Sequence, residues 1–234
     1  MLPLLLLSAL SGYLIGSLSF TRVVTKTLSP DLDLSSIVVT DPATGEEYQR
    51  PPNATTASMA LGWRAGCIIG ALDMAKVFLP VLGWRLLFPG QNYHLVAAIF
   101  SVAGNNWPIY YRFKGGSGLS ATYGSLLVID PLGIMATVAA GFIVGMILLR
   151  SMMLTFTLPM LLLIPWFWFR TGDIAYILFA VVLNILYFIN FAVDAKEYLR
   201  KGKGKIISER AIMEQMPKGR AMLKILDKLG LKKK

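Results

Sequence analysis

The densest chemistry in this sequence is a run of six residues, Phe113-Lys114-Gly115-Gly116-Ser117-Gly118, placed just before a helix start at Leu119. Glycines lack a Cβ and let backbone amides come close to an anion. A helix N-terminus adds unpaired N–H donors and the positive end of a dipole. Lys114 supplies a mobile cation. Together these features describe a phosphate cradle, although the Gly-Lys-Ser/Thr ending of a nucleotide-binding loop is absent. A glycine-rich turn that only joins two helices has the same composition and remains the alternative. A second constellation is Asp73 and Lys76, three apart in an otherwise apolar stretch and able to meet on one helix face. Charges in such a stretch are costly and should point into a bundle or a wet cavity. They form a structural ion pair or line that cavity. The lone His94 lies at the far end of its apolar block from the glycine loop. No Ser-His-Asp set and no metal-ligand cluster is apparent, so no metal or cofactor is expected. Any catalysis would rest on positioning and charge stabilisation.

The elements that hold these residues are membrane helices. Of 234 residues, 55% are hydrophobic and only 15% are charged, where a soluble domain has about a quarter charged. The apolar residues form blocks near the roughly 20 residues that a bilayer crossing needs. Seven helices are expected: about Met1–Phe20, Ala60–Leu82, Tyr93–Tyr110, Leu119–Ile129, Leu132–Leu149, Met152–Phe169 and Ile174–Val193. The fourth is short enough to be re-entrant, which leaves six or eight spans open. The first has Gly12 and Gly16 at small-xxx-small spacing, and no Lys or Arg precedes it as in a secretory signal. Cys67 lies in an apolar run and reads as a small core residue.

The polar insert 28–58 contains Ile37 to Thr40, then Asp41-Pro42-Ala43-Thr44-Gly45, then Glu46 to Arg50, the pattern of a short hairpin. Trp107, Tyr110 and Tyr111 suit an interfacial aromatic belt better than a stacking platform.

Charge placement sets the expected topology. The net charge is +10, and thirteen of the 23 Lys and Arg lie between Lys196 and Lys234. That location speaks for a cytoplasmic flank on anionic lipid and against nucleic acid. Arg22, Lys26, Arg50, Arg112, Lys114 and Arg150 share the inner side in a seven-span scheme, and only Arg85 and Arg170 fall outside. The N-terminus is then outside and the C-terminus cytoplasmic. The division is a transmembrane domain over 1–193 and a basic tail over 194–234. In the tail, Met222, Ile225, Leu226 and Leu229 make an apolar stripe suited to a membrane surface.

The order of these motifs resembles the bacterial acyl-phosphate:glycerol-3-phosphate acyltransferase family. Gly16-Ser17-Leu18-Ser19-Phe20 is similar to its first-helix Gly-Ser-x-x-Phe. Leu61-Gly62-Trp63-Arg64-Ala65-Gly66, with Leu72-Asp73-Met74-Ala75-Lys76 and Pro80-Val81, is similar to its second helix. Gly104 to Gly118 resembles its Gly-His-x-Phe-Pro-x-Phe-x-x-Phe-Lys-Gly-Gly-Lys-Gly signature, and Arg150 falls where it has Arg-Tyr-Val-Ser-Leu-Ala-Ser. The resemblance implies an all-α polytopic bundle of about seven spans in the inner membrane, with its site on the cytoplasmic side. It also implies transfer of an acyl group from acyl phosphate to glycerol 3-phosphate, giving lysophosphatidic acid without a covalent acyl-enzyme.

Carried onto this chain, the resemblance makes Lys114 and Asn105 catalytic candidates. Phosphate would lie on Gly115, Gly116, Ser117 and Gly118, with Asn53, Thr55 and Thr56 contributed by the insert. Arg112, Arg150, Arg64 and Lys76, with Asp73 beside the last, are candidates to replace cations that the chain lacks. Asn105 stands for the signature histidine and Ser117 for the second lysine; Met59 occupies the place of a phosphate-clamping arginine. The late His-Arg-x-Asn-Ile stretch falls on Asp194-Ala195-Lys196-Glu197-Tyr198. Two other expectations stand beside the enzyme: a catalytically impaired homologue acting as a lipid-binding scaffold, and a small transporter or scramblase.

Overall fold

The computed structural model describes residues 1–34, 37–40, 47–49, 53–149, 151–201, 220 and 223. The hairpin turn Asp41 to Gly45, Arg50, Arg150 and the tail stripe Met222, Ile225, Leu226 and Leu229 lie outside the described residues. All seven apolar blocks form helices. Five segments are long and apolar enough to cross a membrane: Leu2–Leu28, Trp63–Leu87, Pro131–Leu148, Met153–Arg170 and Ile174–Ala192.

The first block ends sooner than its hydropathy suggests. Helix α1 (Leu2–Gly16) stops at Ser17, and a separate helix α2 (Phe20–Leu28) follows. The Ser17 hydroxyl bonds back to the Tyr13 carbonyl at 2.8 Å and accepts the Ile109 amide at 3.4 Å, which ties the break to the loop after α5. Strands β1 (Val38–Thr40) and β2 (Glu47–Gln49) pair antiparallel with Val39 opposite Tyr48, so the expected hairpin is present. The end of the insert is helical, which its polarity did not suggest: α3 (Ala54–Leu61) starts where the Asn53 side chain accepts the Thr56 amide at 2.9 Å.

Helix α4 (Trp63–Leu87) has 25 residues, about 37 Å at 1.5 Å per residue, enough for a roughly 30 Å hydrocarbon layer. Helix α5 (Tyr93–Asn106) and helix α6 (Leu119–Ile129) are shorter. Asp130 caps helix α7 (Pro131–Gly141) by accepting the Gly133 amide at 3.2 Å. The fifth block then loosens into a π-helical segment, Phe142–Leu148, where Gly141 and Gly145 let α8 (Met152–Arg170) pack against it closely. Helix α9 (Ile174–Lys201) outruns its apolar block.

Small residues bring α1 and α5 together, because a side chain at Gly12 or Gly16 would strike the Ala97 or Ser101 backbone. Val77, Val81, Val102, Leu126, Phe167 and Phe179 form the core between α4, α5, α6, α8 and α9. Leu6, Leu79, Leu86, Met135, Trp168 and Ile185 are exposed on the outside, and so is Cys67, which is therefore not the core residue its apolar run suggested. An apolar exterior of that extent suits lipid rather than water.

Candidate active site

The ends of α1, α5, α6, α8 and α9 and the start of α3 converge on a cleft of about 290 Å³. Its floor is set by Asn105 near the end of α5. The Asn105 carbonyl accepts the Gly116 amide at 3.1 Å, anchoring the glycine loop. Its side-chain Oδ1 accepts the Lys76 ammonium at 2.7 Å. A lysine only donates, so the amide oxygen faces Lys76 and the Nδ2 donor is left for the cleft.

Lys76 itself is enclosed. It pairs with Asp73 at 2.8 Å, donates to the Leu18 carbonyl at 2.5 Å, and is 5% exposed against 9% for Asp73. The two charges meet on one helix face and point into the bundle, as their spacing predicts. Asp73 also borders the cleft.

Two glycines of the loop have steric reasons. A β-carbon at Gly115 would strike the Asn105 and Asn106 carbonyls, so only glycine lets the loop lie on the end of α5. Gly118 has φ +75° and no room for a side chain beside the Asn106 amide. It precedes α6, whose first turn has no side-chain cap. The first-turn amides of α6 have no intrahelical partner, and Leu119 and Ser120 border the cleft. Gly116 is different: a β-carbon there has open space, with Asn105 Nδ2 3.6 Å away.

The structure brings Asn53, Thr55, Asp73, Asn105, Gly115, Gly116, Ser117 and Gly118 together on the cleft, with Lys76 directly behind Asn105. Thr56 is buried behind Asn53, its hydroxyl 3.2 Å from Asn53 Oδ1. Three of the expected cations are elsewhere. Arg112 and Phe113 both take left-handed backbone, φ 52° and 60°, and after this turn Lys114 borders a separate cavity with Arg22 and Lys26. Arg112 is exposed outside the cleft. Arg64 is exposed too, with its guanidinium 5.7 Å from the Trp63 ring centre. Among the described residues, no Lys or Arg lines the cleft. His94 sits at the opposite end of the bundle against the Gln91 carbonyl and Tyr176.

The cleft also holds residues that sequence reasoning missed. Asn190 of α9 donates from Nδ2 to the Gly116 carbonyl at 3.4 Å, and the Tyr187 hydroxyl lies 3.2 Å from that of Thr157. Phe156 and Phe191 give the cleft an apolar side. The resemblance points to 194–198 for a late polar stretch, whereas Tyr187 and Asn190, three apart on α9, border the cleft. The spacing was the available signal. It was hidden because the polar pair lies inside an apolar helix.

The arrangement offers amide donors, an asparagine positioned by a buried cation, and an apolar wall, which suits a phosphate ester beside an acyl chain. Comparison with known proteins identifies the family. The glycerol-3-phosphate acyltransferase family profile matches residues 6–201. The glycerol-3-phosphate acyltransferase of Alkaliphilus metalliredigens is 29% identical over 207 residues, covering 88% of this chain and 97% of the relative. That of Shouchella clausii is 32% identical over 196 residues, covering 80% and 88%. The crystal structure of PlsY (YgiH), an integral membrane glycerol 3-phosphate acyltransferase, in its glycerol 3-phosphate form superposes with a TM-score of 0.67 at 20% identity, covering 87% of this chain and 95% of that one. With that profile spanning most of its length, this chain belongs to the glycerol-3-phosphate acyltransferase family.

Proposed function

We propose that the chain transfers an acyl group from acyl phosphate to glycerol 3-phosphate, releasing lysophosphatidic acid and inorganic phosphate. The acceptor hydroxyl oxygen bonds to the acyl carbon, the bond from that carbon to the phosphate oxygen breaks, and the hydroxyl proton leaves with the phosphate. The observation that carries this reading is the open α6 N-terminus facing Asn105, whose amide Lys76 orients from behind. First-turn amides of α6, Ser117 and the Asn105 Nδ2 hold phosphate oxygens, and Asn53, Thr55 and Asn190 fix the rest of the polar substrate. Phe156 and Phe191 receive the start of the acyl chain. No covalent enzyme intermediate and no cofactor is required.

The cleft faces the cytoplasm, in an inner-membrane protein with seven crossings and the N-terminus outside. Support comes from charge: Arg22, Lys26, Arg112 and Lys114 lie at the cleft end, whereas Arg85 and Arg170 lie at the far end around Asp130. Residues 1–193 form the membrane domain and 194–234 a basic tail on the inner leaflet.

The test is formation of labelled lysophosphatidic acid by the purified full chain from palmitoyl phosphate and labelled glycerol 3-phosphate. Product above a heat-inactivated control is expected. Its absence with folded protein would overturn the proposal and leave the second reading, a non-enzymatic lipid-binding homologue. That reading is favoured by the lack of a lining Lys or Arg among the described residues.

A further inference from the structure

A second cavity, of about 470 Å³, lies between α2, the segment Leu32–Leu34 and the loop after α5, and it shares no lining residue with the cleft. Arg22, Lys26 and Lys114 border it, with Asp33 as the acid among the described lining residues. The cations are arranged, not scattered. Arg22 and Lys26 are four apart on α2 and so share a helix face. The Arg22 guanidinium lies over the Tyr111 ring, 4.8 Å from its centre, and donates to the Lys114 carbonyl at 3.3 Å. That contact fixes the arginine beside the lysine. The excess of positive charge and the planar donor set fit a phosphate group.

The surroundings of the cavity identify the source of that phosphate. Val23 borders the cavity and is exposed, as are Leu28 on the same helix and Phe113 beside Lys114. Cations with apolar side chains at the end of membrane helices match a headgroup–acyl boundary. We propose that this cavity is a lipid site distinct from the cleft, in which Arg22, Lys26 and Lys114 hold the phosphate of an anionic phospholipid. Its acyl chains run along Val23 and Phe113. The site anchors α2 against the loop that carries Lys114, and it does not depend on the reaction assigned to the cleft.

Native mass spectrometry of the detergent-purified full chain tests this, with phosphatidic acid, phosphatidylcholine and inorganic phosphate as probes. The parent should retain phosphatidic acid over phosphatidylcholine, and Lys26→Glu should lower that retention about tenfold, the effect of one charge-assisted contact. Arg22→Gln should act in the same direction. Lys26 is exposed, so Lys26→Glu remains readable even if Arg22→Gln lowers thermal stability. Equal retention of both lipids by the parent, or equal phosphatidic acid retention by parent and Lys26→Glu, would overturn the lipid site. Inorganic phosphate binding that is sensitive to Lys26→Glu, without preference for the anionic lipid, would reassign the cavity to a free phosphate and refute the lipid.

Discussion

Replacing Lys76 by methionine should separate the two roles of this buried cation. In the parent its ammonium meets Asp73 at 2.8 Å, the Leu18 carbonyl at 2.5 Å and Asn105 Oδ1 at 2.7 Å, with little exposure to solvent. Methionine fills similar volume but leaves the Asp73 carboxylate in the bundle without its counter-charge. Breaking a buried pair from one side costs about 3–5 kcal/mol, which for a chain of this size lowers Tm by roughly 10 °C. The double variant Asp73→Asn with Lys76→Met removes both charges and should recover most of that loss. Activity should behave differently: both variants lose the donor that holds the Asn105 oxygen, so turnover should stay low even where stability returns. Thermal unfolding in detergent and lysophosphatidic acid formation measure the two effects. If the single and double variants melt together, the pair is not desolvated in the way described. If the double variant regains full turnover, Lys76 does not position Asn105.

Two further outcomes follow from the same geometry. Ser117→Lys places a cation on the cleft beside the α6 amides and should improve the apparent affinity for glycerol 3-phosphate about tenfold, since a charge-assisted hydrogen bond contributes roughly 1.5–3 kcal/mol; unchanged or weaker KM at fixed salt would argue against phosphate in that position. Reporter fusions at Ser117 and Lys234 should both read cytoplasmic and one at Asp130 should not, and a periplasmic signal from Ser117 would invert the topology.

The parts of the fold legible in the sequence were those fixed by hydropathy and spacing. Apolar blocks located the helices, Asp130-Pro131 marked a break that the structure contains, and the three-residue spacing of Asp73 and Lys76 placed both on one face. Local polarity misled where a tertiary contact decides the conformation. The break at Ser17 depends on an Ile109 amide far along the chain, and α3 forms in a stretch that reads as insert. The π-helical segment at Phe142–Leu148 packs closely on α8 through Gly141 and Gly145, a contact that hydropathy does not signal. Of the residues that line the candidate cleft, Asn105 and the glycine loop were legible, and a backbone hydrogen bond holds them together. The direction of Lys114 was not, because it follows two non-glycine residues in left-handed backbone, a conformation that composition does not signal. Asn190 and Tyr187 were hidden inside an apolar helix for a related reason: what distinguishes them is the neighbour they face.

The most direct test of the cleft as the place of acyl transfer is the substitution Gly116→Leu, with turnover and thermal stability measured side by side. A β-carbon at this position has open space and its nearest neighbour, Asn105 Nδ2, is 3.6 Å away, so the larger side chain fills the cleft without forcing the backbone. Lysophosphatidic acid formation should fall by about a hundredfold, the order expected when reacting groups are displaced by an ångström or more, while Tm stays near that of the parent. Parental turnover from a folded Gly116→Leu protein would contradict the assignment.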